Sequence, residues 1–282
     1  MIFWIASYPK SGNTWHRSLL SSYYYSENGN FQQRLLKKIG QFPEKKYFTG
    51  FDYNPAIITD TSRFWIKAQE KINADKKIKF FKTHNILGAI NDNKFTNIKN
   101  TIGCIYIVRD PRNVVTSLKN HYEMSTEDAV NFMVNEKKYI YDYHKKNDYS
   151  DFQFISSWEK NYKSWIGQKN FPIKYIRYED LYDKTFNIFK EIIEFIDKIK
   201  NSNNKFDIRK AKNSIHNCSF NVMKNIEKKE GFLESILSKN ESKKIPFFHL
   251  GPKNDWQDIF DENYQKKLNT IFNKNLKELR YV

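Results

Sequence analysis

Apolar and polar positions alternate along this chain as short apolar runs followed by helix-spaced segments. Ile2-Phe3-Trp4-Ile5-Ala6 is apolar without interruption and predicts a buried strand. A polar glycine turn follows, and residues 15–25 are compatible with a helix. Asp60 or Thr61 is placed to cap a helix carrying Phe64, Trp65, Ala68 and Ile72 at helical spacing. Residues 78–81, 102–108 and 173–178 read as three further strands. Pro111 suits the first turn of a helix reaching about Tyr122. Ser125-Thr126-Glu127-Asp128 resembles a capping box for a helix running to about His144. Trp158, Tyr162 and Trp165 form one apolar stripe. Phe186, Phe189, Ile192, Ile193 and Ile196 form another, and a last helix is expected from near Asp261 to Leu279. Residues 200–250 are Lys- and Asn-rich and show no clear period.

Strands alternating with helices predict an α/β fold, a P-loop-type parallel β-sheet flanked by helices on both faces. In such sheets ligands bind beyond the carboxyl ends of the strands. One domain over residues 1–282 is expected, with pocket-forming insertions at 27–76 and 225–250. The first insertion holds Gly29, Gly40, Gly50, Pro43 and Pro55, with a short amphipathic piece at 32–39. Such a segment suits a substrate lid or a plain surface insertion.

The charge changes this picture little. The chain carries 48 Lys and Arg against 32 Asp and Glu, a net +16, which admits nucleic acid, anionic surfaces or acidic ligands as partners. Its lysines are spread in pairs along the whole length, not gathered in one tract. That argues against a nucleic-acid interface and leaves only a few cations for an anionic ligand. Cys104 and Cys218 make neither a disulfide framework nor a metal site. No apolar stretch approaches the roughly 18–20 residues of a membrane span, and the amino terminus lacks a signal-like basic region. A reduced, cytoplasmic protein is the expectation.

The candidate chemistry sits where the predicted strands end. Ser7-Tyr8-Pro9-Lys10-Ser11-Gly12-Asn13-Thr14-Trp15 joins strand to helix. Free amides and the helix dipole make such a turn an anion site. It is not a Walker A loop, because Lys10 precedes Gly12 instead of following it. Arg109 directly follows the third strand. It can bind phosphate through two parallel hydrogen bonds or form a structural ion pair with Asp110 or a neighbour. Ser117 lies two turns into the next helix. Lys82 and His84, two apart after a strand, face one side in an extended chain. A histidine there can act as a base and a lysine can stabilise developing charge.

These residues resemble the landmarks of the sulfotransferases that use 3'-phosphoadenosine 5'-phosphosulfate (PAPS). The stretch from Tyr8 to Trp15 is similar to their phosphosulfate loop Y-P-K-S-G-T-T-W, with Asn13 for the first Thr. Lys82-Thr83-His84 resembles their K-T-H segment, and the stretch from Val108 to Ser117 their 3'-phosphate motif. Ser157-Trp158, Tyr178-Glu179-Asp180 and Cys218-Ser219-Phe220 resemble later landmarks, in order. The resemblance implies direct, in-line sulfuryl transfer without a metal, to a small-molecule, lipid or saccharide acceptor. By that resemblance Lys10, Lys82 and His84 are catalytic, with His84 the base. Ser11, Gly12, Asn13 and Thr14 cradle the 5'-phosphate, and Arg109 and Ser117 hold the 3'-phosphate. Trp15 and Phe220 stack on adenine, Tyr178 touches its edge, and Cys218 stands where a cofactor-bonding Thr is usual.

Besides Cys218, two departures are visible. The family's R-K-G-x-x-G-D-W appears as His249-Leu250-Gly251-Pro252-Lys253-Asn254-Asp255-Trp256, without its Arg and Lys. His249, Gly251 and Lys253 are therefore the candidate cofactor contacts there. The usual dimerisation motif is absent from Gln257 onward, which leaves monomer or dimer open. A P-loop small-molecule kinase would need Mg²⁺ and a lysine in the Walker position. A basic nucleic-acid binder would need clustered cations and a docking element.

Overall fold

The central strand explains the layers. In the computed structural model, which describes residues 1–142, 144–238 and 244–282, strand β1 (Ile2–Ser7) is wholly buried. Its alternate residues serve two cores: Ile2, Trp4 and Ala6 face one, Phe3 and Ile5 the other. The run is apolar throughout because both faces of the sheet are covered.

Helix α1 (Asn13–Tyr25) follows the turn. Strand β2 (Gly40–Gln41) forms one sheet edge. Helix α2 (Trp65–Ile72) precedes β3 (Lys79–Thr83) and the small hairpin β4 (Ala89–Ile90) and β5 (Asn93–Lys94). Then come β6 (Thr101–Val108), α3 (Pro111–Tyr122), α4 (Thr126–Val134) and the hairpin β7 (Tyr139–Ile140) and β8 (Gln153–Phe154). Next are α5 (Trp158–Ile166), β9 (Ile173–Arg177), α6 (Tyr178–Asp183), α7 (Thr185–Ile199), α8 (Ile208–Asn217) and α9 (Phe220–Glu230). The short α10 (Trp256–Ile259) and the long α11 (Glu262–Glu278) close the chain.

The main sheet has the order β2-β3-β1-β6-β9, and every neighbouring pair in it is parallel. Side chains from α1, α7 and α8 fill the core under Phe3 and Ile5. Those of α2, α3, α5 and α11 fill the other, around Trp4. The expected α/β architecture is thus the observed one.

Several expectations shift. The helix expected from Ser125 to about His144 ends at Val134, because Asn135-Glu136-Lys137-Lys138 breaks the apolar spacing after Met133. The β7–β8 hairpin takes its place, pinned by the stacked rings of Tyr139 and Phe154, 4.9 Å apart. Tyr143, within that expected helix, lies outside the described residues, as do residues 239–243 of the expected 225–250 insertion. Edge strand β2 is too short to leave a period in the sequence. Helices α8 and α9 occupy part of the stretch without clear period. The buried side of α8 is built on small residues, Ala211 and Ser214, and so carries no large-apolar stripe. Cys104 is a buried core residue, as expected.

Candidate active site

Strand order lays the site out in a line. The carboxyl ends of β9, β6, β1, β3 and β2 carry Tyr178, Arg109, the Lys10 turn, His84 and Gln41 in that sequence across the rim. Neighbouring strands are about 4.8 Å apart, so this row is a graded cleft. It opens into a cavity of about 1030 Å³ lined from Tyr178 and Phe220 through Lys10, Lys82 and His84 to Gln41.

The turn itself is built for an anion. Lys10 has φ 65° and Gly12 φ 92°, both in the left-handed region. Gly12 is required twice over, since a Cβ there would lie 2.4 Å from Cδ2 of Tyr178. His16 N donates to Gly12 O at 3.1 Å, and the first amides of α1 are left at the helix end, aimed outward. The buried Ser11 hydroxyl has no partner. Asn13 also lines the cavity. Its amide donates to Ile5 O at 3.1 Å and Ser7 Oγ at 3.2 Å, which ties the helix start back onto β1. Burial and the nearby Arg109 guanidinium bring the Lys10 ammonium down to about 7. Its Nζ lies 4.4 Å from the centroid of the Phe247 ring.

His84 is held on three sides. Its N–H donates to Gln153 Oε1 at 2.7 Å, and Asn161 donates to its carbonyl at 2.9 Å. Ring Nδ1 lies 2.7 Å from Ser7 O. A carbonyl only accepts, so Nδ1 carries the proton and Nε2 keeps its lone pair. Burial, reinforced by Lys82, lowers the imidazole to about 3, which keeps it neutral.

Beside it three donors converge on one carboxylate. Glu234 accepts from Thr14 Oγ1, from Arg17 Nη1 at 2.5 Å and from Lys82 Nζ at 2.9 Å. Burial alone would raise this carboxyl, but Lys82, Arg17 and Thr14 hold it well below its usual range. Arg17 is anchored by the carbonyls of Ile39, at 2.8 Å, and Leu36, at 3.2 Å. Neither Arg17 nor Glu234 was among the sequence candidates. Arg17 was findable, because it stands three residues after Thr14 on the same helix face. Glu234 was not, because nothing periodic marks its segment.

Arg109 does not pair with Asp110. Arg112, not Arg109, takes Asp110, in a 2.6 Å ion pair. The buried Arg109 donates through Nη1 to Lys10 O at 3.0 Å and to Ser117 Oγ at 3.2 Å. Its Nε is buried and unpartnered, and the guanidinium lies 4.4 Å from the Tyr178 ring centroid. These open donors suit an oxyanion.

The remaining candidates divide. Trp15, Tyr178, Phe220, Cys218, His249 and Gly251 all line the cavity. The Cys218 thiol lies 3.4 Å from Ser22 Oγ, and burial pushes it up to about 12. Lys253 is exposed and does not line the cavity. The adjoining Asn254 reaches the site instead, accepting from Thr116 Oγ1 at 2.6 Å and donating to Ser117 Oγ at 3.3 Å.

A family model described as a sulfotransferase domain matches residues 2–280. The chain belongs to the sulfotransferase domain family. Sulfotransferase 1A1 of Rattus norvegicus is 23% identical over 285 residues, covering 96% of this chain and 83% of the relative. Sulfotransferase 1B1 of Mus musculus is 20% identical over 274 residues, covering 96% and 81%. Among solved structures, retinol dehydratase in a complex with retinol and PAP aligns with TM-score 0.60 and 18% identity over 98% of this chain and 81% of that one. Mouse sulfotransferase SULT7A1 complexed with PAP aligns with TM-score 0.56 and 18% identity over 98% and 83%. In this sulfotransferase no described helix is long and apolar enough to cross a membrane.

Proposed function

We propose that this sulfotransferase moves a sulfuryl group from PAPS to a hydroxyl or amine of a small-molecule, lipid or saccharide acceptor, directly and in line. The observation that carries the reading is the convergence of Thr14, Arg17 and Lys82 on one anionic group beside the open Nε2 of His84. The residues present fit the cofactor. Ser11 Oγ and Arg109 Nε are buried donors without partners, one at the turn and one a strand further along.

PAPS supplies the sulfuryl group. His84 Nε2 accepts the acceptor's proton as its oxygen or nitrogen bonds to sulfur. Lys10 would compensate the negative charge left on the phosphate end of the cofactor as the cofactor gives up its sulfuryl group. Lys82 and Arg17 stabilise the sulfuryl oxygens in flight. Ser11, Gly12 and Thr14 hold the 5'-phosphate, and Arg109 with Ser117 holds the 3'-phosphate. Trp15 and Phe220 enclose the adenine, with Tyr178 at its edge. The described residues of 27–76, 121–150 and 225–250 build the acceptor side.

Calorimetry tests the cofactor assignment. The expected result is tighter binding of 3',5'-ADP than of ATP or AMP, and equal affinities overturn it. His84→Ala is expected to lower turnover by about 10²–10⁴-fold with 3',5'-ADP binding retained. Lost nucleotide affinity would remove His84 from the role of base.

A further inference from the structure

The acceptor end of the cleft is polar, and its polarity has a particular form. Gln41 pairs in register with Lys82, one strand out from the reacting centre, and lines the cavity. Around it stand two ion pairs that also line the cavity, Glu44 with Lys46 and Lys145 with Asp151, each at 2.6 Å. Gln153, whose Oε1 fixes His84, completes this wall. Tyr122 and Tyr141 supply aromatic surface to the same cavity. Two aromatics of the first insertion, Phe51 and Tyr53, pack on other rings instead. Phe51 stacks on Phe64, and Tyr53 packs on Phe48.

Carboxylates already neutralised by lysines do not select a charged acceptor. An ion pair open to a cavity offers a hydrogen-bond acceptor and a donor side by side, which matches a vicinal diol. An apolar alcohol entering here would strip water from both pairs and from Gln41 without replacing the lost hydrogen bonds, a penalty that rejects it. Rings of a sugar also present apolar C–H faces, which suit Tyr122 and Tyr141.

We propose that the acceptor is an uncharged saccharide hydroxyl, read through its neighbouring hydroxyls by Gln41 and the Glu44–Lys46 and Lys145–Asp151 pairs. This rests on the sulfuryl-transfer reading above. It sets the chain apart from the neighbour crystallised with retinol, an apolar alcohol.

The test uses the full chain with sulfur-labelled PAPS and two acceptor panels: neutral methyl glycosides with oligosaccharides, and phenols with steroid alcohols. The expected result is kcat/KM at least about tenfold higher on a saccharide, from loss of one well-placed hydrogen-bond pair in the apolar case. Gln41→Leu and Glu44→Gln, the latter at a partly exposed position, are expected to raise the saccharide KM about tenfold. Under both changes kcat and the Kd for 3',5'-ADP should stay near wild type. Equal or faster transfer to a phenol or steroid overturns the saccharide assignment alone, as does no transfer to any saccharide while 3',5'-ADP still binds. Absence of 3',5'-ADP binding overturns the sulfuryl-transfer reading and this one with it.

Discussion

Lys82 Nζ donates to Glu234 Oε1 at 2.9 Å, joining β3 to a segment 152 positions further along the chain. That carboxylate also engages Thr14 and Arg17, and so occupies the donors assigned above to the cofactor's reacting end. Two anions within contact distance repel, so Glu234 must leave before a phosphosulfate settles there.

Glu234→Gln is therefore expected to bind PAPS and 3',5'-ADP more tightly, by about tenfold, equivalent to about 1.4 kcal/mol. The same change leaves Arg17 and Lys82 without their counter-charge. The unliganded protein should lose up to roughly 3 kcal/mol of stability, with much of it restored by 3',5'-ADP. Calorimetry paired with thermal unfolding checks both halves. Weaker nucleotide binding by the variant would show that Glu234 supports the bound state and does not compete with it.

Lys10 sets a pH dependence. Burial and Arg109 hold its ammonium at about 7 in the free protein. An anionic cofactor stabilises the charged form and raises that value in the complex. Below pH 7 the lysine is charged before and after binding, so affinity is flat. Above pH 7 binding takes up a proton, and log Kd should rise by up to one per pH unit until the complex itself titrates. Titrations from pH 6 to 9, in buffers of different ionisation enthalpy, read the proton directly. Lys10→Met should bind weakly and abolish the slope; a slope unchanged in that variant would assign it to another group.

The residues proposed here for the cofactor were legible in sequence as a cluster because their signals are local. A strand, a turn and a helix start suffice to place Ser11 and Gly12, and Arg109 and Ser117 share one strand end and the helix after it. The parallel sheet was legible for the same reason, from apolar runs as plain as 102–108. Glu234 was not, because it reaches the loop across the fold from a segment with no period, and only packing brings it there. The tie from the Asn13 side-chain amide to Ile5 and Ser7 left no sequence signal either, because a polar residue in an anion loop reads first as a ligand contact. Lys253 looked like a replacement for missing cations, yet the short turn over Gly251–Lys253 turns it to solvent and offers Asn254 instead.

Arg109 should confer selectivity for the 3'-phosphate. Its Nη1 is fixed by Lys10 O and Ser117 Oγ, while Nε is unpartnered. Lysine keeps the charge but has no planar fork, so Arg109→Lys should not substitute. Hydrogen bonds to charged groups contribute about 1.5–3 kcal/mol, so the preference for 3',5'-ADP over AMP should fall by about 10–100-fold. Competition binding measures the ratio. A ratio that survives would place the 3'-phosphate elsewhere on the rim.

Gly251 is expected to control the adenine end through Phe220. It has φ 56°, and a Cβ built on it would lie 2.3 Å from Cε2 of that ring. The ring cannot simply retreat, because Phe248 stands edge-on to it with centroids 6.2 Å apart. Gly251→Ala thus adds the left-handed penalty, roughly 1–2 kcal/mol, and drives Phe220 out of position. Because the affected turn is short and lies at the cavity wall, the sheet and both cores should remain intact by circular dichroism. Aromatic–base stacking contributes about 1–3 kcal/mol, so affinity for 3',5'-ADP and for AMP should fall together, by tenfold or more. Their ratio, set at Arg109, should hold. If the substitution leaves both affinities unchanged, Phe220 does not touch the base; if only 3',5'-ADP weakens, the turn serves the 3'-phosphate and not the adenine.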